Sequence, residues 1–309
     1  MNYKEAQRAH VQNLIKSSNI FYGDRGNGTF RKTTYPFVLQ KADNNLYAPI
    51  LDCVKQYFEK NNITWWNGGV TNHPLSSQIA CINHLFPIRN DKDVVLKIMK
   101  HFKPDLKEVL QIDSDTYNPA YIQFEAVSDK DYLKENSSKR GSYCTSIDAL
   151  VYGILEDSKK IIFPIEWKFT EVYYNTDKSE GSSGDTRKKR YTCLINHSAQ
   201  LKDANHSFLY FEPFYQLMRQ TLWAEQMIAH KNDETIKADE YFHIHVIPEE
   251  NKQLLNRTYK CSGKNMKNTW HLCIGDQDKY ITVTPKEFLS ELPYEKYNGL
   301  LEYLENRYW

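Results

Sequence analysis

No stretch of this chain approaches the run of about twenty apolar residues that a membrane-spanning helix needs. Its opening, Met1-Asn-Tyr-Lys-Glu-Ala6, lacks the charged-then-apolar pattern of a secretion signal. None of the six cysteines, at 53, 81, 144, 193, 261 and 273, belongs to a C-x-x-C pair. That spacing offers no zinc site, and reduced thiols in a cytoplasm are the simple expectation. The phosphate-binding G-x-x-x-x-G-K-[ST] is missing, so ATP hydrolysis is not built in. No methyltransferase motif, internal repeat or low-complexity linker is found either. A surplus of one charge sign is absent as well: 40 Lys and Arg oppose 39 Asp and Glu, a net charge of +1. A polyanionic partner would therefore have to be held by local positive charge.

What is present suffices for a large core. The 309 residues are 40% hydrophobic, with 22 Tyr and 6 Trp. This is the composition of a soluble globular protein with one large domain, or one core with appendages. Most aromatic rings must be buried, which leaves some to stack on bases or sugars.

Chemistry concentrates in two short apolar runs, Thr145-Ser-Ile-Asp-Ala-Leu-Val151 and Ile161-Ile-Phe-Pro-Ile-Glu-Trp-Lys-Phe169. Side chains in a strand alternate faces. In the second run Ile161, Phe163, Ile165, Trp167 and Phe169 share a wholly apolar face, while Glu166 and Lys168 share the other. Glu156-Asp-Ser-Lys159 is the polar turn between the runs. A loop centred on Asp157 sets Asp148 opposite Glu166, and one centred on Ser158 sets it opposite Lys168. Either odd-length loop gathers all three residues on one face, with opposed Cβ atoms about 5 Å apart. A two-residue turn would face Asp148 with Trp167 instead. The hairpin thus requires a three- or five-residue loop, or a bulge.

Two close carboxylates repel unless a cation lies between them. Asp148 and Glu166 are the expected ligands of Mg²⁺ or Mn²⁺, hard cations that keep several waters and complete their shell with phosphate. Lys168 can orient the attacking water or stabilise charge that develops in a phosphorane-like transition state. The residues read as a metal-dependent nuclease.

At this point the chain resembles the PD-(D/E)XK nuclease superfamily, through Ile147-Asp148 followed by Ile165-Glu166-Trp167-Lys168. Ile147 stands where the motif carries Pro. More narrowly, Ser76-Ser-Gln-Ile-Ala-Cys-Ile-Asn-His-Leu-Phe-Pro87, Phe124-Glu125 and Thr145-Ser-Ile-Asp148 are similar to a bacterial restriction-endonuclease-like group. The resemblance implies an α/β (α+β) fold with a restriction-endonuclease-like core. That core is a central mixed sheet with an antiparallel three-strand meander flanked by helices, in the order helix, meander, helix, strand. It also implies an endodeoxyribonuclease of restriction or host defence. The alternatives are a same-fold nuclease of DNA repair or mobile-element processing, or an inactive nucleic-acid-binding protein.

Periodicity supplies that order. Pro74–Leu85 and Asp91–Phe102 read as helices, and residues 121–126, 143–154 and 161–170 as the meander. Glu212–His230 reads as an amphipathic helix and Glu240–Pro248 as a further strand. Glu125 is a further carboxylate for the site. Gln78 stands in the helix where the superfamily often carries an acid, and its amide oxygen can accept from bound water. Gln216 and Gln220 share one flank of the later helix and could touch the site. His243 and His245 point the same way, but an H-x-H without a third ligand is more often structural.

Local positive charge lies in two expected loops, Lys134–Ser142 and Ser179–Arg190. Arg187, Lys188, Lys189 and Arg190 in the second would lie beside the site and grip DNA phosphates, ordering on binding. The nuclease core is expected over 71–250. A mainly helical elaboration over 1–70 precedes it, with Leu46–Lys60 as its clearest helix and Trp65-Trp66 after it. A hairpin (Thr269–Ile274 with Tyr280–Thr284) and two helices are expected over 251–309. DNA is the expected partner, with no membrane, and a homodimer is compatible with the pattern.

Overall fold

Alternation in the two apolar runs is honoured: they form adjacent strands at the centre of one sheet. The computed structural model describes residues 1–65, 68–112, 120–136, 140, 144–174, 176–202 and 206–309. Trp66, residues 137–139 and 141–142 of the expected basic loop, and Tyr143 of the expected strand lie outside the described residues.

The chain begins with α1 (Tyr3–Ser17), a short hairpin β1–β2 (Gly28–Phe30 and Thr33–Tyr35), and α2 (Leu51–Lys60). Next come α3 (Ser77–Leu85), α4 (Lys92–Phe102), β3 (Leu106–Leu110), β4 (Ile122–Ala126), β5 (Ile147–Leu155) and β6 (Lys160–Trp167). Then follow α5 (Gly181–His197), α6 (His206–Leu209), α7 (Phe214–Ala229), β7 (Glu240–Tyr241) and β8 (His243–Val246). The chain ends with α8 (Lys252–Leu255), α9 (Met266–Cys273), β9 (Tyr280–Val283), α10 (Pro285–Phe288) and α11 (Tyr294–Arg307).

Among the described residues seven strands form one mixed sheet. β4, β5 and β6 are the antiparallel meander, and β3 pairs with the far end of β5 along the edge that β4 also occupies. β7 and β8 lie parallel to β6, and β9 lies parallel to β8. One face, carrying Phe163, Ile165 and Trp167, is buried under α3, α4 and α11. The other, carrying Leu150, Tyr152 and Ile162, is buried under α7 and α9. The mixed α/β architecture and its helix–meander–helix–strand order are those the sequence led us to expect. No helix among the described residues is long and apolar enough to cross a membrane.

Four expectations are corrected. Residues 1–70 are not mainly helical, since α1 and α2 flank the β1–β2 hairpin and long irregular stretches punctuated by Gly23, Gly26, Gly28 and Pro36. The strand β3 was not anticipated; its Leu106-Lys-Glu-Val-Leu110 alternates weakly and is held by its pairing with β5. The expected C-terminal hairpin does not form. Thr269–Cys273 belongs to α9, capped by the Asn265 side chain, whose Met266, Thr269, Trp270 and Cys273 are buried at helical spacing. Its intended partner, β9, joins the central sheet instead, so the sheet crosses the boundary expected at residue 250. Finally, the basic stretch after β6 is helix α5, not loop, because Tyr191 and Ile195 bury one side of it.

Candidate active site

Loop length decides where Asp148 falls. The Leu155 N–H reaches the Lys159 carbonyl at 2.8 Å and the Ser158 N–H reaches the Leu155 carbonyl at 2.9 Å. Glu156-Asp157-Ser158 is therefore a three-residue loop, with Ser158 in the left-handed region at φ 71°. This is a common hairpin connection whose twist suits the flanking strands. Asp157 is its centre, so of the two registers that suit the site the chain takes the one facing Asp148 with Glu166. Ladder pairing ends at Ala149–Ile165. One step beyond, the strands part, and Asp148 Oδ2 accepts from the Trp167 N–H at 2.8 Å. Its other oxygen takes no hydrogen bond from the described residues, and Asp148 lines a cleft of about 570 Å³.

Glu166 sits behind this cleft, 1% exposed, under α7. Helical spacing puts Gln216 and Gln220 on one face of α7, directly over it. Gln216 Nε2 donates to Glu166 Oε1 at 2.6 Å, and Gln220 Nε2 donates to Glu166 Oε2. Lys168, just past the end of β6, lies 2.5 Å from Glu166 Oε1 and donates to Gln216 Oε1 at 2.6 Å. The Tyr173 ring lies 5.7 Å from the ammonium. Burial alone would lower the Lys168 pKa, but Glu166, Tyr173, Glu171 and Asp148 together hold it well above its ordinary value. Lys168 also lines the cleft, and so links the buried Glu166 to the space where Asp148 stands.

Glu125 completes the wall. Its backbone is left-handed, at φ 48°, which interrupts pairing between Phe124 and Ala126. Glu125 Oε1 accepts from Gln78 Nε2 at 2.6 Å and Oε2 accepts from Ser146 Oγ at 2.9 Å. Arg140 Nε donates to the Glu125 carbonyl at 2.9 Å, and its guanidinium also reaches the Phe124 carbonyl and the Tyr57 hydroxyl. Non-glycine backbone in this region is costly and persists where surrounding contacts over-determine it. Burial first, and then the charge of Glu166, raises the Glu125 carboxyl. Burial, followed by Glu166 and Glu125, raises Asp148 well above the ordinary carboxylate range.

The structure thus gathers Asp148, Glu125, Gln78 and Lys168 at one cleft, with Glu166 behind. Ser146, Arg140 and Tyr173 were not singled out from the sequence. Ser146 adjoins Ile147-Asp148 and Arg140 belongs to the basic Lys134–Ser142 stretch, so both had a local signal, whereas Tyr173 had none. Arg187, Lys188, Lys189 and Arg190 do not line the cleft. Four consecutive helical residues point around the axis, so this run makes no single basic face. Arg187 donates to the Lys178 carbonyl at 2.9 Å, while Lys188 and Lys189 are exposed. His243 and His245 are buried: His245 Nδ1 lies 2.9 Å from the Tyr280 hydroxyl, and burial depresses both imidazoles.

Could these residues hold a divalent cation? Among the described residues no three His, Cys, Asp or Glu side chains converge closely enough to form a protein-only cage. The free oxygen of Asp148 and the remaining lone pair of Glu166, three of whose four positions accept hydrogen bonds, make a two-carboxylate set. That is the donor set Mg²⁺ uses, with water and phosphate supplying the rest. The crowding that raises Asp148 and Glu125 is what a cation would relieve.

A family model described as Restriction Endonuclease associating with ARP matches residues 8–309. The chain belongs to this family. No curated protein and no solved structure matches it. Membership of the restriction endonuclease associating with ARP family agrees with the mixed α/β sheet and points to a nuclease whose substrate is DNA. The match also takes in the β1–β2 hairpin and α11, so the parts outside the meander belong to the family's pattern.

Proposed function

We propose that the chain is a Mg²⁺- or Mn²⁺-dependent endodeoxyribonuclease of the PD-(D/E)XK type, acting in restriction or host defence. The observation that carries this reading is the Asp157-centred hairpin, which sets Asp148 across from Glu166 with Lys168 at the rim of the same cleft. Asp148 and Glu166 would hold the cation. When bound it polarises a phosphoryl oxygen and acidifies water. Lys168, whose pKa its anionic neighbours raise, acts as a donor: it orients a water or stabilises charge on the phosphate oxygens. Gln216 and Gln220 fix the rotamer of Glu166 and hand Lys168 an acceptor. Glu125 ties Gln78 and Ser146 to the wall beside Asp148.

Purified chain should nick or cut plasmid DNA with Mg²⁺ or Mn²⁺, and EDTA should abolish cutting. Asp148→Ala, Glu166→Ala and Lys168→Ala should each lose on the order of a hundredfold or more. Because these groups act as a unit, pairwise combinations should be little worse than the singles. Full activity in Asp148→Ala, or cutting that survives EDTA, would sink the reading.

A further inference from the structure

The lining of the cleft carries both signs of charge. Asp148 and Glu125 on the meander and Glu171 beyond β6 supply carboxylates. The first part of the chain contributes Lys4 of α1, Phe30 and Arg31 of the β1–β2 hairpin, and His73 ahead of α3. Positive charge gathers there. Burial first, and then Lys4, Arg8 and Arg31, depress the His73 imidazole to about 4. The Phe30 ring lies 4.7 Å from that imidazole, and the Arg8 guanidinium lies 5.1 Å from the Phe37 ring behind it. Carboxylates alone would repel a polyanion. Cationic side chains on the same lining would hold it in place.

The tip of the hairpin carries the stronger signal. Phe30 pairs with Thr33, so Arg31-Lys32 is a two-residue turn. Both residues have positive φ, 48° and 67°. This is a type I′ turn, which Asn-Gly or Asp-Gly adopts with least strain. Residues with a Cβ are strained at both positions, and the Arg31 guanidinium lies 5.4 Å from the ring of Phe30, which lines the cleft beside it. Both side chains are exposed. The base beneath them is held firmly: the Gly28 N–H donates to the Val38 carbonyl at 2.8 Å, and Asn72 Nδ2 donates to the Thr29 and Leu39 carbonyls at 3.2 and 2.8 Å. A Cβ on Gly28 would lie 1.9 Å from the Leu39 carbonyl oxygen, so only glycine fits there.

We propose that the Arg31-Lys32 turn, together with Lys4, grips the phosphate backbone of a DNA strand lying in the cleft that Asp148 lines. This deepens the nuclease reading of the cleft and rests on it for the identity of the strand. The test reads binding alone. A fluorescein-labelled duplex is titrated with the full chain at several salt concentrations, in Ca²⁺ and again in EDTA. The variant is Arg31→Asn/Lys32→Gly, which removes both cations and installs the dipeptide that the turn prefers, so the hairpin is kept. Affinity should fall roughly tenfold, and the slope of log K against log salt should shrink by about 0.9 for each phosphate that the variant no longer neutralises. Lys4→Ala should add a smaller loss. The helix variant Lys188→Ala/Lys189→Ala is the comparison.

Unchanged affinity and slope in the hairpin variant would overturn the proposal, as would a loss confined to the helix variant or a wild type with no affinity for DNA. Wild-type chain that binds DNA through the hairpin but never cuts it would leave this surface standing and remove the nuclease reading. Wild type that cuts, with a hairpin variant that binds and cuts equally well, would do the reverse.

Discussion

Lys168 and Asp148 differ in what burial does to them. Lys168 is 5% exposed; burial would lower its pKa, but Glu166 and its other anionic neighbours hold it well above the ordinary value. Asp148 has one backbone N–H and two acidic neighbours, so burial and repulsion push its carboxyl upward. A carboxyl whose folded pKa exceeds its unfolded value, near 3.9, costs stability once pH rises above that unfolded value. Asp148→Asn removes this cost. In EDTA above neutral pH its melting midpoint should exceed that of wild type, by about 2–4 °C for each kcal/mol relieved. Cutting should be lost at the same time. Added Mg²⁺ should raise the wild-type midpoint and leave that of Asp148→Asn nearly where it was. Thermal melts with and without Mg²⁺ measure both effects, and a lower midpoint for Asp148→Asn in EDTA would contradict the crowding.

Among the elements, the β5–β6 hairpin shows most clearly what a short sequence can decide. Alternation and the polar turn limited it to two useful registers, and the three-residue loop selects one. That loop requires a left-handed Ser158. Ser158→Gly should therefore stabilise the protein by about 1 kcal/mol, and Ser158→Val should destabilise it by at least as much. Urea unfolding gives both values, and equal midpoints for the three proteins would mean that the loop tolerates other conformations. Elements whose local pattern was ambiguous were harder to read. Thr269-Trp-His-Leu-Cys-Ile274 is rich in strand-forming residues, yet the Asn265 cap and the packing of Trp270 make it helix. In α5 the glycines and serines near the start suggest loop, while the few apolar contacts that stabilise the helix come from its second half.

Taken whole, the molecule is joined across its length. Asn83 on α3 donates to the Asn45 carbonyl at 3.1 Å and to the Tyr303 and Tyr308 hydroxyls at 3.1 and 2.9 Å. Arg307 on α11 donates to the Asn45 carbonyl at 2.7 Å, so both ends of the chain are tied to the helix that carries Gln78. Buried imidazoles occupy both sides of the sheet. Burial depresses His84 and His243 to about 3, and burial followed by Lys168 holds His245 well below its ordinary value. A histidine whose folded pKa lies below its unfolded value, near 6.5, costs nothing above that value. It costs stability progressively as pH falls beneath it. Each such group contributes up to about 1.4 kcal/mol per pH unit, and three contribute about 4. Typical stabilities of about 5–15 kcal/mol are consumed within a few units at that rate. Cooperative loss of tertiary structure is expected between about pH 5 and 3, followed by near-UV circular dichroism. A native spectrum at pH 3 would refute it.

The sequence by itself determined the chemistry and the local frame: the carboxylates, the lysine two residues on, the strand alternation and the helix bearing Gln78. These follow from periodicity and side-chain type, which act over a few residues. Tertiary structure alone decided that Glu166 lies behind the cleft, that Gln216 and Gln220 hold it, and that Arg140 supports a left-handed Glu125. It also decided that Lys4 of α1 and Arg31 of the β1–β2 hairpin line the cleft, while the basic residues of α5 do not. A run of four basic residues is conspicuous in sequence but is dispersed by helical geometry, whereas Lys4, Arg31 and Asp148 meet only because residues far apart in the chain pack around one cleft.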